Sequence, residues 1–281
     1  DGTNWSALGT GLNDSVDTLA VYDDGSGEAL YAGGQFLSAG SVVLNRVGRW
    51  NGTSWSPLGS GLGSNPFFIF EGEVYALAVY DDGGGPALYA GGDFLDAGGV
   101  PTADYIAKWD GTSWSAVGTG ADGPVFGLAV LDDGTGLALY AGGHFEHVGG
   151  QAAHGAARWN GTSWTALGNL DAAAWDFAVF DDGSGLALFA GGDLTVANNK
   201  TVKHVARWDR EGWMPVGGGF GPDEFSFMDC FALFDDGTGE ALYAGGNFAT
   251  ADGQPATYLA RWNGAAWSAV GGGLDASVWG L

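Results

Sequence analysis

The sequence predicts an all-β protein, a β-propeller of four-stranded antiparallel blades, on three observations. A unit of about 50 residues recurs five times along the 281-residue chain, close to the period of blade-type repeats. Between its markers, short β-prone runs alternate with glycine-rich turns, and no window holds a helical period. The chain also carries 54 glycines and 13 tryptophans, an allocation suited to tight turns and to aromatic packing between sheets.

In the first unit, Leu19-Ala20-Val21-Tyr22 is the first strand and Asp23-Asp24-Gly25-Ser26-Gly27 turns the chain into a second, Ala29-Leu30-Tyr31-Ala32. That strand ends in Gly33-Gly34. A longer connection reaches the third strand, which ends in Val47-Gly48-Arg49-Trp50. The Asn51-Gly52 turn then leads into the fourth, Ser54-Trp55-Ser56-Pro57-Leu58. Each marker returns. The tryptophan pair recurs as Trp109/Trp114, Trp159/Trp164, Trp208/Trp213 and Trp262/Trp267, and the Asp-Asp-Gly turn begins again at Asp81, Asp132, Asp181 and Asp235. The double glycine ends again at Gly92, Gly143, Gly192 and Gly246.

One four-stranded sheet cannot bury both of its faces, so packing against the neighbouring units supplies the core. The double glycines are expected to allow close backbone approach and unusual φ/ψ angles where the second strand ends, and the tryptophans to fill the gaps between blades. A single domain over 1–281 follows, with blades at about 10–59, 60–118, 119–168, 169–217 and 218–270. The partial copies 1–9 and 271–281 are expected to close the ring as a reduced sixth blade or part of one, with five-bladed closure as the alternative.

The double glycine, the aromatic and the tryptophan, here Gly33-Gly34, Trp50 and Trp55, resemble kelch and galactose-oxidase-type propeller repeats. More specifically, the chain resembles the tandem Trp-Asn-Gly-Thr-Ser-Trp repeats of large secreted bacterial proteins of undefined role. Trp50 departs from the tyrosine usual in kelch. The resemblance implies a propeller serving as a binding platform. It does not carry galactose-oxidase activity over, because the copper-ligand constellation of that enzyme is not identifiable here.

Nine Lys+Arg against 33 Asp+Glu give a net charge of −24, which argues against nucleic-acid and anionic-lipid partners. No apolar run is long enough for a membrane helix. The acidity and only three lysines suit an extracellular or cell-surface protein, and any leader is expected to have been removed. The single Cys230 excludes an intrachain disulfide and multi-cysteine zinc sites. It occupies the small-residue position of Thr18 and Ala76, so a packed thiol is expected.

A basic residue precedes the first tryptophan of every pair, namely Arg49, Lys108, Arg158, Arg207 and Arg261. Strand alternation brings each to the Asp-Asp-Gly end of its sheet, which predicts internal salt bridges rather than an anion site. The turns themselves hold ten carboxylates, Asp23, Asp24, Asp81, Asp82, Asp132, Asp133, Asp181, Asp182, Asp235 and Asp236. Calcium is the one metal they suggest. Their spacing lacks the alternating oxygen ligands of an EF-hand loop, and hairpin chemistry explains Asp and Gly without a metal, so no cofactor is expected. His144, His147 and His154, with Glu146, invite a zinc reading that residue spacing on an extended strand weakens.

Spacings of 50, 59, 50, 49 and 54 residues between successive tryptophans place insertions after Trp55 and Trp213. Phe67, Phe68 and Phe70 in the first are expected to contact a partner chain or domain, or to cover a blade edge. The second insertion runs from Phe220 to Phe227. Two variable positions predict a ligand site at the channel mouth, opposite the Asp-Asp-Gly turns. After the double glycine stand Gln35, Asp93, His144, Asp193 and Asn247; at the entry to the first strand stand Asp17, Tyr75, Phe126, Trp175, Asp229 and Trp279. Aromatic planes beside amides and carboxylates hold sugars or polar peptides. The expected function is a non-catalytic binding or surface-scaffold module for protein or glycan, within a larger multidomain chain or assembly. The alternatives are a glycoside hydrolase on a propeller, for which no carboxylate pair stands out, and a calcium-stabilised structural surface protein.

Overall fold

The structure is a computed structural model that describes residues 3–64, 72–221 and 225–281. Each repeat forms a four-stranded antiparallel sheet whose strands lie side by side in chain order. In the first repeat these are Val16–Asp23, Glu28–Gly34, Val47–Trp50 and Trp55–Pro57. The second has Val74–Asp81, Pro86–Gly92, Ile106–Trp109 and Trp114–Ala116. The third has Val125–Asp132, Leu137–Gly143, Ala156–Trp159 and Trp164–Ala166. The fourth has Ala174–Asp181, Leu186–Gly192, Val205–Trp208 and Trp213–Pro215. The fifth has Phe227–Asp235, Glu240–Asn247, Leu259–Trp262 and Trp267–Ala269. The protein is therefore all-β, built from several four-stranded antiparallel sheets. Among the described residues there is no α-helix, and none long and apolar enough to cross a membrane.

Two compact units are distinguished. One comprises the described residues of Asp1–Val125 with Val148–Gly150 and Gly161–Ser163; the other comprises Phe126–His147, Gln151–Asn160 and Trp164–Leu281. Within each, the second strands are the most deeply buried, with Tyr31, Tyr89 and Phe189 fully enclosed. The double glycines explain how such strands pack. A β-carbon on Gly33 would lie 2.5 Å from Val74 of the next repeat, and one on Gly191 would overlap the Met228 side chain. None of the paired glycines has a left-handed φ, so the expected unusual dihedrals are absent and space alone requires glycine there.

The first strands carry a recurrent bulge that the sequence did not reveal. Val16 pairs with Gly34 and Thr18 with Gly33, leaving Asp17 unmatched, and the same shift recurs at Tyr75, Trp175 and Asp229. The second glycine makes room for it, since a β-carbon on Gly34 would lie 2.2 Å from the Ser15 carbonyl and one on Gly92 2.1 Å from that of Glu73. A bulge of this kind turns a strand and re-aims the extra side chain.

The tryptophan pairs pack as tilted rings 5.3–5.5 Å apart. Indole N–H groups stitch successive repeats, with Trp114 donating to the Leu58 carbonyl and Trp267 to that of Val216. Trp55 does the same to the Leu8 carbonyl. The described residues of the partial copies at the two ends form no strands, and Trp5 is fully exposed. The longer connections contain short hairpins, such as Ser38–Ala39 against Val42–Val43. In the second insertion Phe220 folds back, stacking on Phe248 and Trp267. Phe67, Phe68 and Phe70 lie outside the described residues.

Candidate functional site

At the Asp-Asp-Gly end of each sheet, the two aspartates divide their work. Asp23 Oδ1 accepts the N–H groups of Gly25 and Gly27, which closes the hairpin turn. Asp24 Oδ1 accepts the Ser26 N–H, while its Oδ2 accepts the Tyr31 hydroxyl and meets Arg49 Nε at 3.2 Å. The other repeats follow suit, pairing Lys108 with Asp82, Arg158 with Asp133, Arg207 with Asp182 and Arg261 with Asp236. All five cations expected to form salt bridges do so, each within its own sheet. Against the desolvation of the site, hydrogen bonds from Ser26 and Tyr31 and the charge of Arg49 hold the Asp24 carboxyl below its ordinary range. Asp82, Asp133 and Asp236 are lowered in the same direction. Asp23, Asp24 and their eight counterparts accept hydrogen bonds within their turns, and among the described residues no three His, Cys, Asp or Glu side chains converge.

At the opposite end of the sheets the variable positions gather. The bulged entry residue, the residue after the double glycine and the residue that opens the third strand all fall there. This last position was not read from the sequence. Arg46, Tyr105, His204 and Tyr258 occupy it with left-handed φ angles of 62–74°, and only the third repeat has a glycine there, Gly155. Their backbones are fixed on both sides. In the first repeat the Arg46 N–H donates to the Phe36 carbonyl and the Arg46 carbonyl accepts the Gly34 N–H, and the same two bonds recur at Tyr105, Gly155, His204 and Tyr258. Non-glycine residues held in this region cost roughly 1–3 kcal/mol each and cluster at binding and switch sites.

In the first unit this end is acidic. Asp17 shares a side-chain hydrogen bond with Glu73, and desolvation together with the Glu73 charge pushes the Asp17 carboxyl up to about 7. Glu73 and Asp93 are buried, and Tyr75, with its hydroxyl raised by burial and by the Glu73 charge, lies against them. Gln35 is half-buried, its backbone N–H donating to the Ser15 carbonyl.

In the second unit the predicted residues converge. Phe126, His144, Trp175 and Asp193 line one open cleft of about 490 Å³, joined by His154 and Asp171. Trp175 continues into an aromatic run, 5.3 Å from Phe227, which lies 6.3 Å from the exposed Trp279. His154 Nδ1 meets Glu146 at 2.7 Å. His147 is not among the lining residues. Asn247 donates to the Phe225 carbonyl outside this cleft. Beneath the strand entries, Asp176 accepts the N–H groups of Phe177 and Phe231, and burial raises its carboxyl to about 7. Cys230 is buried and its thiol is pushed up to about 12 by desolvation, the setting of a packed thiol.

No protein-family model matches the chain, and no curated protein matches it. Among solved structures it aligns with the extracellular domain of a hybrid two-component system of B. thetaiotaomicron, at a TM-score of 0.45 and 13% identity. The alignment covers 88% of this chain and 26% of that one, so the chain spans about a quarter of its length.

Proposed function

We propose that the five sheets are blades of a kelch-like propeller and that the protein is a non-catalytic binding module, extracellular or at a cell surface, for a neutral glycan or a polar peptide. The observation that carries this reading is the cleft shared by Phe126, His144, Trp175 and Asp193. Ring faces there offer stacking surface to apolar C–H groups, and Asp193 and Asp171 offer acceptors to hydroxyls. The succession of double glycines against the next repeat, Gly33 on Val74, Gly91 on Val125 and Gly245 on Val278, supports the blade arrangement. A net charge of −24 disfavours anionic glycans.

Glycan and peptide arrays probed with the wild-type protein and with a Trp175→Ala/Asp193→Ala variant test the proposal. Retention without turnover by the wild type is expected, with about tenfold or greater loss in the variant, the equivalent of one stacking contact and one hydrogen bond. Failure of the wild type to retain any glycan or peptide, or equal binding by the variant, overturns it. Cleavage of a retained glycan would instead favour a hydrolase.

A further inference from the structure

A second cleft in the second unit, of about 820 Å³, lies at the Asp-Asp-Gly end, between the third and fourth repeats. One residue that lines it, Arg210, departs from the pattern of the repeats. Elsewhere the turn between the third and fourth strands carries a glycine, and in the second, third and fifth repeats its α-carbon abuts the preceding repeat. A β-carbon on Gly111 would lie 3.0 Å from the Asp24 carbonyl oxygen, one on Gly161 2.6 Å from that of Asp82 and one on Gly264 2.5 Å from that of Asp182. The fourth repeat has Arg210 in that place, with the left-handed φ retained at 76°. No side chain fits the space the glycines use. The Arg210 guanidinium instead lies over Gly134 of the third repeat, where a β-carbon would be 2.5 Å from Nη2.

Arg210 is also the exception among the six arginines. Arg46 donates to the carbonyls of Gly72 and Leu62, and Arg49, Arg158, Arg207 and Arg261 pair with turn aspartates. Arg210 has neither a hydrogen bond nor an ion pair among the described residues, although Asp132, Asp209 and Glu211 line the same cleft. These carboxylates bond only to backbone N–H groups or stand exposed: Asp132 accepts from Gly134 and Gly136, and Asp209 from Glu211 and Gly212. Leu131, Ala187 and Trp208 supply the apolar surface between them.

The geometry points to a binding site for a small zwitterion of the amino-acid or short-peptide class at this cleft, with the ligand carboxylate on Arg210 and its ammonium on the acidic rim. Arg207 and Asp133 also line the cleft but pair within their own sheets, which leaves the exposed Arg210 beside Asp132, Asp209 and Glu211. A plain anion meets the repulsion of these three carboxylates and a plain cation that of the guanidinium, whereas a molecule carrying both charges around an apolar body finds a partner for each of its charges. The site is independent of the glycan cleft, which lies at the other end of the same sheets.

Calorimetric titration with phenylalanine, N-acetylphenylalanine and phenylalaninamide tests the assignment. Phenylalanine is expected to bind in the millimolar range or tighter, and each capped form about tenfold or more weaker, because each lacks one charge. Arg210→Gly restores the glycine of the other repeats, so it is expected to fold, to melt at higher temperature and to lose phenylalanine binding by about tenfold or more. The Trp175→Ala/Asp193→Ala protein is expected to bind phenylalanine as the wild type does. No binding of phenylalanine by the wild type, equal binding of a capped form, or unaltered binding by Arg210→Gly overturns the proposal. Loss of phenylalanine binding in the Trp175/Asp193 variant overturns its placement in this cleft.

Discussion

At the scale of single residues, glycine and left-handed backbone carry most of the information that shapes the two ends of the sheets. Gly33→Ala is expected to cost about 1–3 kcal/mol in urea unfolding, because its β-carbon would press within 2.5 Å of Val74 and 2.9 Å of Thr18. Gly272→Ala, which meets nothing within 4 Å and has no left-handed φ, is expected to leave the midpoint unchanged. Equal effects at the two sites would refute the packing role. The doublets were legible in the sequence as points of close approach, since two adjacent glycines recur at one place in every repeat. The left-handed residues were not. Arg46, Tyr105, His204 and Tyr258 look like ordinary polar or aromatic positions, and only Gly155 in the third repeat hints at the backbone they share.

Among elements, the hairpin of first and second strands with its third-strand cation is the unit that repeats most faithfully. Arg49 and Asp24 are largely enclosed, so Arg49→Met strands a carboxylate that otherwise gains from the pair. The expected loss is about 1–3 kcal/mol by urea denaturation, with a similar effect for Lys108→Met. A loss below the error of the measurement would mean that the pair merely decorates the turn. Because the turn carboxylates already accept internal hydrogen bonds, millimolar calcium added to chelator-treated protein is expected to leave the melting temperature unchanged, and a rise would show a site that these bonds do not use up. The pairing was legible because strand alternation sends the end of the third strand to the same side as the turn after the first. The division of labour was not, since Asp23 and Asp24 are the same residue type and differ only in which backbone groups they face. The bulge at Asp17, Tyr75, Trp175 and Asp229 was hidden for a related reason. One extra residue at the start of a strand leaves the alternation beyond it intact, so the entry residues were identified but not the shift in register at each of them. Hairpins of two residues per strand, as at Ser38–Ala39 and Val42–Val43, are too short for any period.

Over the whole molecule, two populations of carboxyl group oppose each other, and their balance sets the response to pH. The turn aspartates, Asp24, Asp82 and Asp133 among them, are held below their ordinary range by hydrogen bonds and cations. Hydrogen bonds from Thr112 and Ser113 bring Asp110 to about 2. Each of these contributes stability that is present above the unfolded carboxyl value and lost as the pH falls toward the folded one. The strand-entry carboxyls behave oppositely. Desolvation, joined at Asp17 by Glu73, raises Asp17 and Asp176 to about 7 and Asp229 to about 6. Folding favours their protonated form, so their contribution is complete below about pH 4 and declines as the pH rises through about 6 to 7. Self-repulsion among the charges behind the net −24 grows in the same direction. Maximum thermal stability is therefore expected at about pH 4–6, with a fall toward pH 8 that added salt partly offsets by screening exposed charges. Asp176→Asn removes one of the ionisations on the alkaline side while keeping an oxygen that can accept the Phe231 N–H, and a shallower decline between about pH 5 and pH 8 is expected from it. Thermal scans of both proteins across that range decide the matter: a wild type most stable at about pH 8, or a variant whose alkaline slope equals that of the wild type, would show that these carboxyls are not protonated in the folded protein.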